Sequence, residues 1–183
     1  LFPTELVDGG HVQDREVEDN HFFEIVNDHS LYPEDPECDL GWMPPIHGIG
    51  HRPEYNSEED PIPPSLQEAI ISFILTCACR NWRGQLDRGK SMLIHVSKFN
   101  NVQDIVFQQV NNFVESLREN ISQNSSKKNE TLEKFRKIWE EKFYSTKELS
   151  EEKYPTWEQL TKHGKSFEFI ITDIDDGAMG IPY

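Results

Sequence analysis

The chain has 183 residues and a formal net charge of -15, with 36% hydrophobic, 28% charged and 11% aromatic side chains. That length allows one buried core without disulfide staples, the aromatic content argues against a disordered chain, and no apolar run approaches the ~18 residues of a membrane span. No basic segment followed by an apolar stretch marks a leader, and three cysteines, an odd number, argue against a secreted disulfide framework. The cysteines are read as reduced and the chain as cytoplasmic.

The charge is unevenly placed. Residues 1–64 carry 16 acids against two bases, Arg15 and Arg52, whereas residues 65–183 carry 17 acids against 16 bases. A surface this acidic repels nucleic-acid phosphates. Eight of the eleven prolines lie between Pro33 and Pro64, with Gly41, Gly48 and Gly50 among them, so this stretch is expected to be irregular. Two readings stand: a surface arm or linker, or an insertion packed on the core through Leu40, Trp42, Met43, Ile46 and Tyr55. The expected organisation is an acidic irregular segment, 1–64, followed by a near-neutral globular part, 65–183.

Regular elements begin after Pro64. Ser65 to Glu68 has the spacing of a capping box, opening a helix whose apolar positions Leu66, Ala69, Ile70, Phe73, Ile74, Cys77 and Ala78 recur at helical intervals. Ile71 and Leu75 widen the stripe around most of the circumference, which predicts a buried helix ending near Gly84. Ser91-Met-Leu-Ile-His-Val-Ser97 is a short apolar run with β-branched residues and predicts a buried strand. The next helix is expected to be capped by Asn100 or Asn101. It carries Val102, Ile105, Val106, Val110, Phe113, Val114, Leu117 and Ile121 on one face. A third helix over about 130–143 presents Leu132, Phe135, Ile138, Trp139 and Phe143. Thr156 to Gln159 forms a second capping box after Pro155, and residues 167–174 predict a second strand.

A strand, helices and a strand imply a crossover connection, which favours parallel strands in a right-handed βαβ unit. Two strands make too small a sheet. Either His21–Val26 supplies another, or further strands follow Tyr183. The expected class is therefore α/β.

Residues that could carry chemistry are few. Five of the seven histidines lie in the acidic segment, but zinc needs tighter pairs than His47-x3-His51 with a single Cys38, so no metal site is expected. Asp14, Glu16, Glu18 and Asp19 read as a solvated charge run. Asp173, Asp175 and Asp176 end the second predicted strand, either as an acidic cluster for a metal nuclease or as a turn before Gly177. His95 reads as a hydrogen-bonded core histidine. No phosphate loop is present, and no Asp-Glu pair follows an apolar strand. The chain alone is not expected to hydrolyse ATP.

Four stretches together carry a resemblance: Leu6-Val-Asp-Gly-Gly-His-Val-Gln-Asp-Arg15, Arg80-Asn-Trp-Arg-Gly84, Lys90-Ser-Met-Leu-Ile-His-Val-Ser-Lys-Phe99 and Tyr154-Pro-Thr-Trp-Glu-Gln-Leu160. With them the chain resembles the Z-1 domain of large bacterial proteins described as endonucleases, which accompanies a superfamily-two helicase-like ATPase in restriction or phage-defence systems. The resemblance implies an internal fragment: an inter-lobe insertion plus the opening parallel βα units of a second RecA-like lobe. It also implies ATP and magnesium in the parent protein, with no cofactor held by this fragment. Nucleic acid would be met through the parent, and the remaining lobes of the same chain would be its neighbours. In such lobes the loop after the first strand faces nucleic-acid backbone. Here that loop holds Ser97, Lys98, Asn100 and Asn101, a hydroxyl, a cation and two amides at a helix start, suited to phosphate. The alternative function is a non-catalytic acidic module that docks a protein partner or imitates the charge of DNA.

Overall fold

The computed structural model describes residues 25–55, 61–85, 89–122, 126–144 and 154–162. The elements, in order, are α1 (Pro64–Trp82), α2 (Asn100–Ser122), α3 (Ser126–Ile138), a π-helical turn (Trp139–Tyr144) and α4 (Trp157–Lys162). α3 packs against both α1 and α2, and α4 against α1. Among the described residues there is no strand and no sheet. The expected α/β class, with its partial RecA-like lobe of parallel βα units, is thereby corrected to a helical architecture. The second predicted strand, 167–174, and the cluster of Asp173, Asp175 and Asp176 lie outside the described residues, as does most of His21–Val26.

The run 91–97 shows why the strand expectation failed. It has no element assigned, yet it keeps a period of two: Met92, Ile94 and Val96 pack on the core, while Leu93 is 78% exposed and His95 faces outward. Alternation records extended backbone with one buried face. A strand also needs a neighbour for its ladder, and the described residues provide none. His95 is therefore a surface residue, not a core histidine.

α1 begins earlier than the capping-box reading places it. Pro63 occupies the N-cap and Pro64 the first helical position, where a missing N–H costs nothing. Ser65 is thus already inside the helix, and no side chain at the N-cap position bonds to it. The capping carboxylate arrives from elsewhere: Asp28 Oδ2 accepts the Ser65 N–H at 2.8 Å, and Asp28 Oδ1 accepts the Ser65 hydroxyl at 2.6 Å. At the other end Gly84 has φ +77, its N–H donates to the Asn81 carbonyl and the Gln85 N–H to the Arg80 carbonyl. This Schellman closure needs the left-handed conformation that glycine adopts freely. Between these ends Ile70, Ile71, Ile74, Leu75, Cys77, Ala78 and Cys79 are all buried.

α2 buries Val102, Val106, Val110, Phe113, Val114, Leu117 and Ile121 in one stripe, as the spacing predicts. Its N-cap is Phe99, whose carbonyl accepts the N–H groups of Val102 and Gln103. Asn100 and Asn101 are the first two helical residues, so neither is the cap. α3 starts four residues before the expected 130, and its Thr131 and Phe135 continue into Trp139, the first residue of the π-helical turn, as a buried line four apart. The wider π-helical turn then stacks Trp139 on Phe143, centroids 5.3 Å apart. α4 carries the reciprocal capping box expected of it: Gln159 N–H donates to Thr156 Oγ1 at 3.2 Å, and Thr156 N–H to Gln159 Oε1 at 2.8 Å.

Residues 25–55 have no regular element but are not a loose tether. Trp42, Met43, Pro44 and Pro53 are buried, and Tyr55 packs against the same core. Leu40 and Ile46, expected to pack with them, are each half exposed. Trp42 Nε1 donates to Gln109 Oε1 on α2 at 2.9 Å, and Gln109 Nε2 donates to the Pro53 carbonyl at 2.7 Å. One glutamine thus satisfies a buried indole N–H and holds both sides of the segment. Gly41 has φ +117, and a Cβ there would lie 2.6 Å from Ser30 Cα, so the chain crosses itself where only glycine fits.

Candidate functional site

The loop expected to meet nucleic-acid backbone leads into α2, and its four residues divide. Ser97 is turned inward and is 5% exposed. Its Oγ lies 2.9 Å from His47 Nε2 and accepts the Phe99 N–H at 3.2 Å. Lys98 is exposed, its Nζ 5.2 Å from the Phe99 ring centroid. Asn100 and Asn101 are exposed in the first turn of α2, which holds no acidic residue.

The tautomer of His47 follows from its partners. Nδ1 lies 2.8 Å from the Pro44 carbonyl, which can only accept, so Nδ1 carries a proton. In the neutral ring Nε2 is then an acceptor, and the Ser97 hydroxyl donates to it. Ser97 Oγ in turn accepts from Phe99 N–H, so each group in the chain of bonds is used once. The His47 ring stands edge-on to Phe99, centroids 5.8 Å apart, and beside His51 at 5.4 Å. His51 Nε2 reaches the Trp42 carbonyl at 2.9 Å. On the other side Gln103 Nε2 donates to the Ser97 carbonyl. Residues 42–51 therefore clamp the loop from one side and α2 from the other.

Sequence reasoning weighed His47 only as a metal ligand and missed its role here, together with Gln103 and Asp28. The bond from Phe99 N–H back to Ser97, two residues upstream, is a local serine turn, which was readable. Nothing in spacing links His47 to Ser97 across 50 positions, because only the folded path of residues 42–51 brings them together.

Beside the clamp lies an apolar cleft of about 570 Å³, lined by residues that include Val26, Met43, His47, Leu66 and Val96. It joins residues 26–47 to the first turns of α1. Cys79 lies away from it within α1, and burial pushes its thiol up to about 12 against a weaker opposing pull from Arg83. A thiol held protonated is a packing residue and not a nucleophile. All three cysteines are buried, and none is joined in a disulfide. Among the described residues no group of three or more His, Cys, Asp or Glu side chains is placed to hold a metal ion, and no helix is long and apolar enough to cross a membrane.

The arrangement presents one cation, two side-chain amides and the partly positive N-terminus of a 23-residue helix on a rigid loop. Such a surface can hold a phosphate oxygen. Comparison with known families matches residues 65–176, more than half of the chain, to a family described as the Z1 domain. No curated protein and no solved structure matches it.

Proposed function

The chain belongs to the Z1 domain family, and from that premise we propose that it serves an ATP-dependent nucleic-acid-processing enzyme of the endonuclease or helicase-like kind, in restriction or phage defence. Its part is to hold a backbone-contact loop, not to perform the chemistry. The observation that carries this reading is the clamped loop at 97–101. Gln103 holds the Ser97 carbonyl and His47 the Ser97 hydroxyl, so the backbone that carries Lys98, Asn100 and Asn101 is ordered before anything binds. Ser97, committed to His47 and Phe99, positions the loop and does not itself face the ligand. The 183 residues carry no phosphate loop, and in this reading ATP and magnesium belong to other parts of the protein.

Phosphate contacts position a strand without reading its sequence. Each neutralised phosphate contributes about -0.9 to the slope of log affinity against log salt for duplex DNA, so one lysine on a chain of charge -15 holds DNA only weakly. The test is a titration of the 183-residue chain with labelled duplex and single-stranded DNA over a salt series. Binding is expected to be weaker than roughly micromolar at physiological salt, with the remaining low-salt binding lost in Lys98→Ala. Binding tighter than that and unchanged in Lys98→Ala would place the contact surface elsewhere.

A further inference from the structure

Residues 29–47 form a folded loop that mixes buried anchors with exposed apolar and acidic side chains. Backbone bonds knit it together: Leu31 N–H donates to the Leu40 carbonyl at 2.9 Å, Met43 N–H to the His29 carbonyl at 2.6 Å, and Ile46 N–H to the Cys38 carbonyl at 3.1 Å. The crossing at Gly41, where a Cβ would meet Ser30 Cα, locks the same loop. The loop is anchored by Cys38, Trp42 and Met43, all buried. Leu31, Tyr32, Leu40 and Ile46 are each exposed by a little over half. Glu34, Asp35, Glu37 and Asp39 are exposed among them, and no base lies between residues 29 and 47. Half-exposed apolar side chains on an ordered loop gain burial when covered and lose little freedom in the process.

We propose that this loop is a docking surface for a basic protein surface that offers apolar sockets between its lysines and arginines. Charge decides the class of occupant. Nucleic acid and anionic lipid carry the same sign as the loop and are repelled. A second copy meeting it in a two-fold contact would set the same acids against themselves. A cationic protein face matches both properties: its charges meet the four carboxylates and its sockets take Leu31, Tyr32, Leu40 and Ile46. The loop lies outside residues 65–176 matched to the Z1 domain; its end at His47 bonds to Ser97, but the exposed side chains invoked here are not those of the proposed nucleic-acid contact at residues 97–101.

The experiment uses the full 183-residue chain and a labelled synthetic peptide of alternating Lys and Leu as the probe. A Lys/Gly peptide of equal length and charge is the control. Anisotropy at physiological salt is expected to show saturable binding of the Lys/Leu peptide. Leu31→Ser with Tyr32→Ser, and separately Glu34→Lys with Glu37→Lys, should each weaken it at least about tenfold. Glu130→Lys with Glu133→Lys on α3 should not. Circular dichroism melts of each variant separate lost binding from lost folding, since all the substituted loop side chains are exposed. Failure of the Lys/Leu peptide to bind, equal binding of the Lys/Gly peptide, or binding that survives both loop variants would overturn the proposal. So would duplex DNA or phosphatidylglycerol vesicles binding through the loop, or a dimer in sedimentation that the loop variants dissolve.

Discussion

Replacing Asp28 with Ala removes a helix cap supplied from 37 residues away. Its carboxylate accepts two hydrogen bonds at the start of α1, from the Ser65 N–H at 2.8 Å and the Ser65 hydroxyl at 2.6 Å. Lost caps cost about 0.5–2 kcal/mol, and bonds to a charged acceptor lie at the upper end of the usual range. Because the site is only partly buried, water replaces some of what is lost. The expected cost is about 2 kcal/mol, which for a chain of this size lowers Tm by roughly 4–8 °C. Ser65→Ala removes the hydroxyl bond but leaves the backbone bond, so about 1 kcal/mol or less is expected. Glu68→Ala breaks only an ion pair to Lys142 at 3.2 Å, between partly exposed side chains, and should be close to neutral. A double-mutant cycle between Asp28 and Ser65 should show coupling of about 1 kcal/mol, because Ser65→Ala has little left to remove once Asp28 is gone. Thermal and urea unfolding of the four variants measure all of this. The competing expectation is a local capping box, in which Ser65→Ala and Glu68→Ala each cost about 1 kcal/mol and Asp28→Ala costs nothing. That pattern would refute the remote cap.

Trp139→Ala should cost about 3–5 kcal/mol in urea unfolding, because a side chain 1% exposed leaves a cavity between α3 and its neighbours; a cost below 1 kcal/mol would mean that the site collapses. Gly41→Ala forces a side chain into φ +117 and against Ser30 Cα, and should cost about 1–3 kcal/mol and speed hydrogen exchange at the Leu31 amide. Unchanged exchange there would contradict the locked crossing. Cys79 should resist iodoacetamide at pH 9 in the native chain and react fully in denaturant. Its thiol titrates at about 12 when folded against 9.0 unfolded, so between those values only the unfolded chain loses the proton. Its contribution to stability therefore falls as pH rises above about 9. Rapid native labelling, assigned to Cys79 by peptide mapping, would show that the thiol is accessible.

What the sequence alone determined is local. α2 follows from the repeat of Val102, Val106, Val110, Phe113, Val114, Leu117 and Ile121, since a 3.6-residue period puts them on one side whatever they pack against. The Thr156–Gln159 box and the stop at Gly84 were equally legible, because every bond that closes them lies within five residues. The same local logic failed at Ser65, where the sequence spacing suits a capping box but two prolines move the helix start upstream and Asp28 takes the capping role. It failed again at residues 91–97. Alternation reported a one-sided extended segment correctly, but a ladder depends on a neighbouring strand, and no pattern within seven residues specifies one. The contacts that build the candidate site are of this second kind: Asp28 to Ser65, His47 to Ser97 and Trp42 to Gln109. Each joins residues 37 to 67 positions apart, beyond any helical or strand period. They exist because Trp42, Met43 and Pro44 bury themselves on the helices, and that burial, a property of the whole packed chain, carries His47 to the loop it holds.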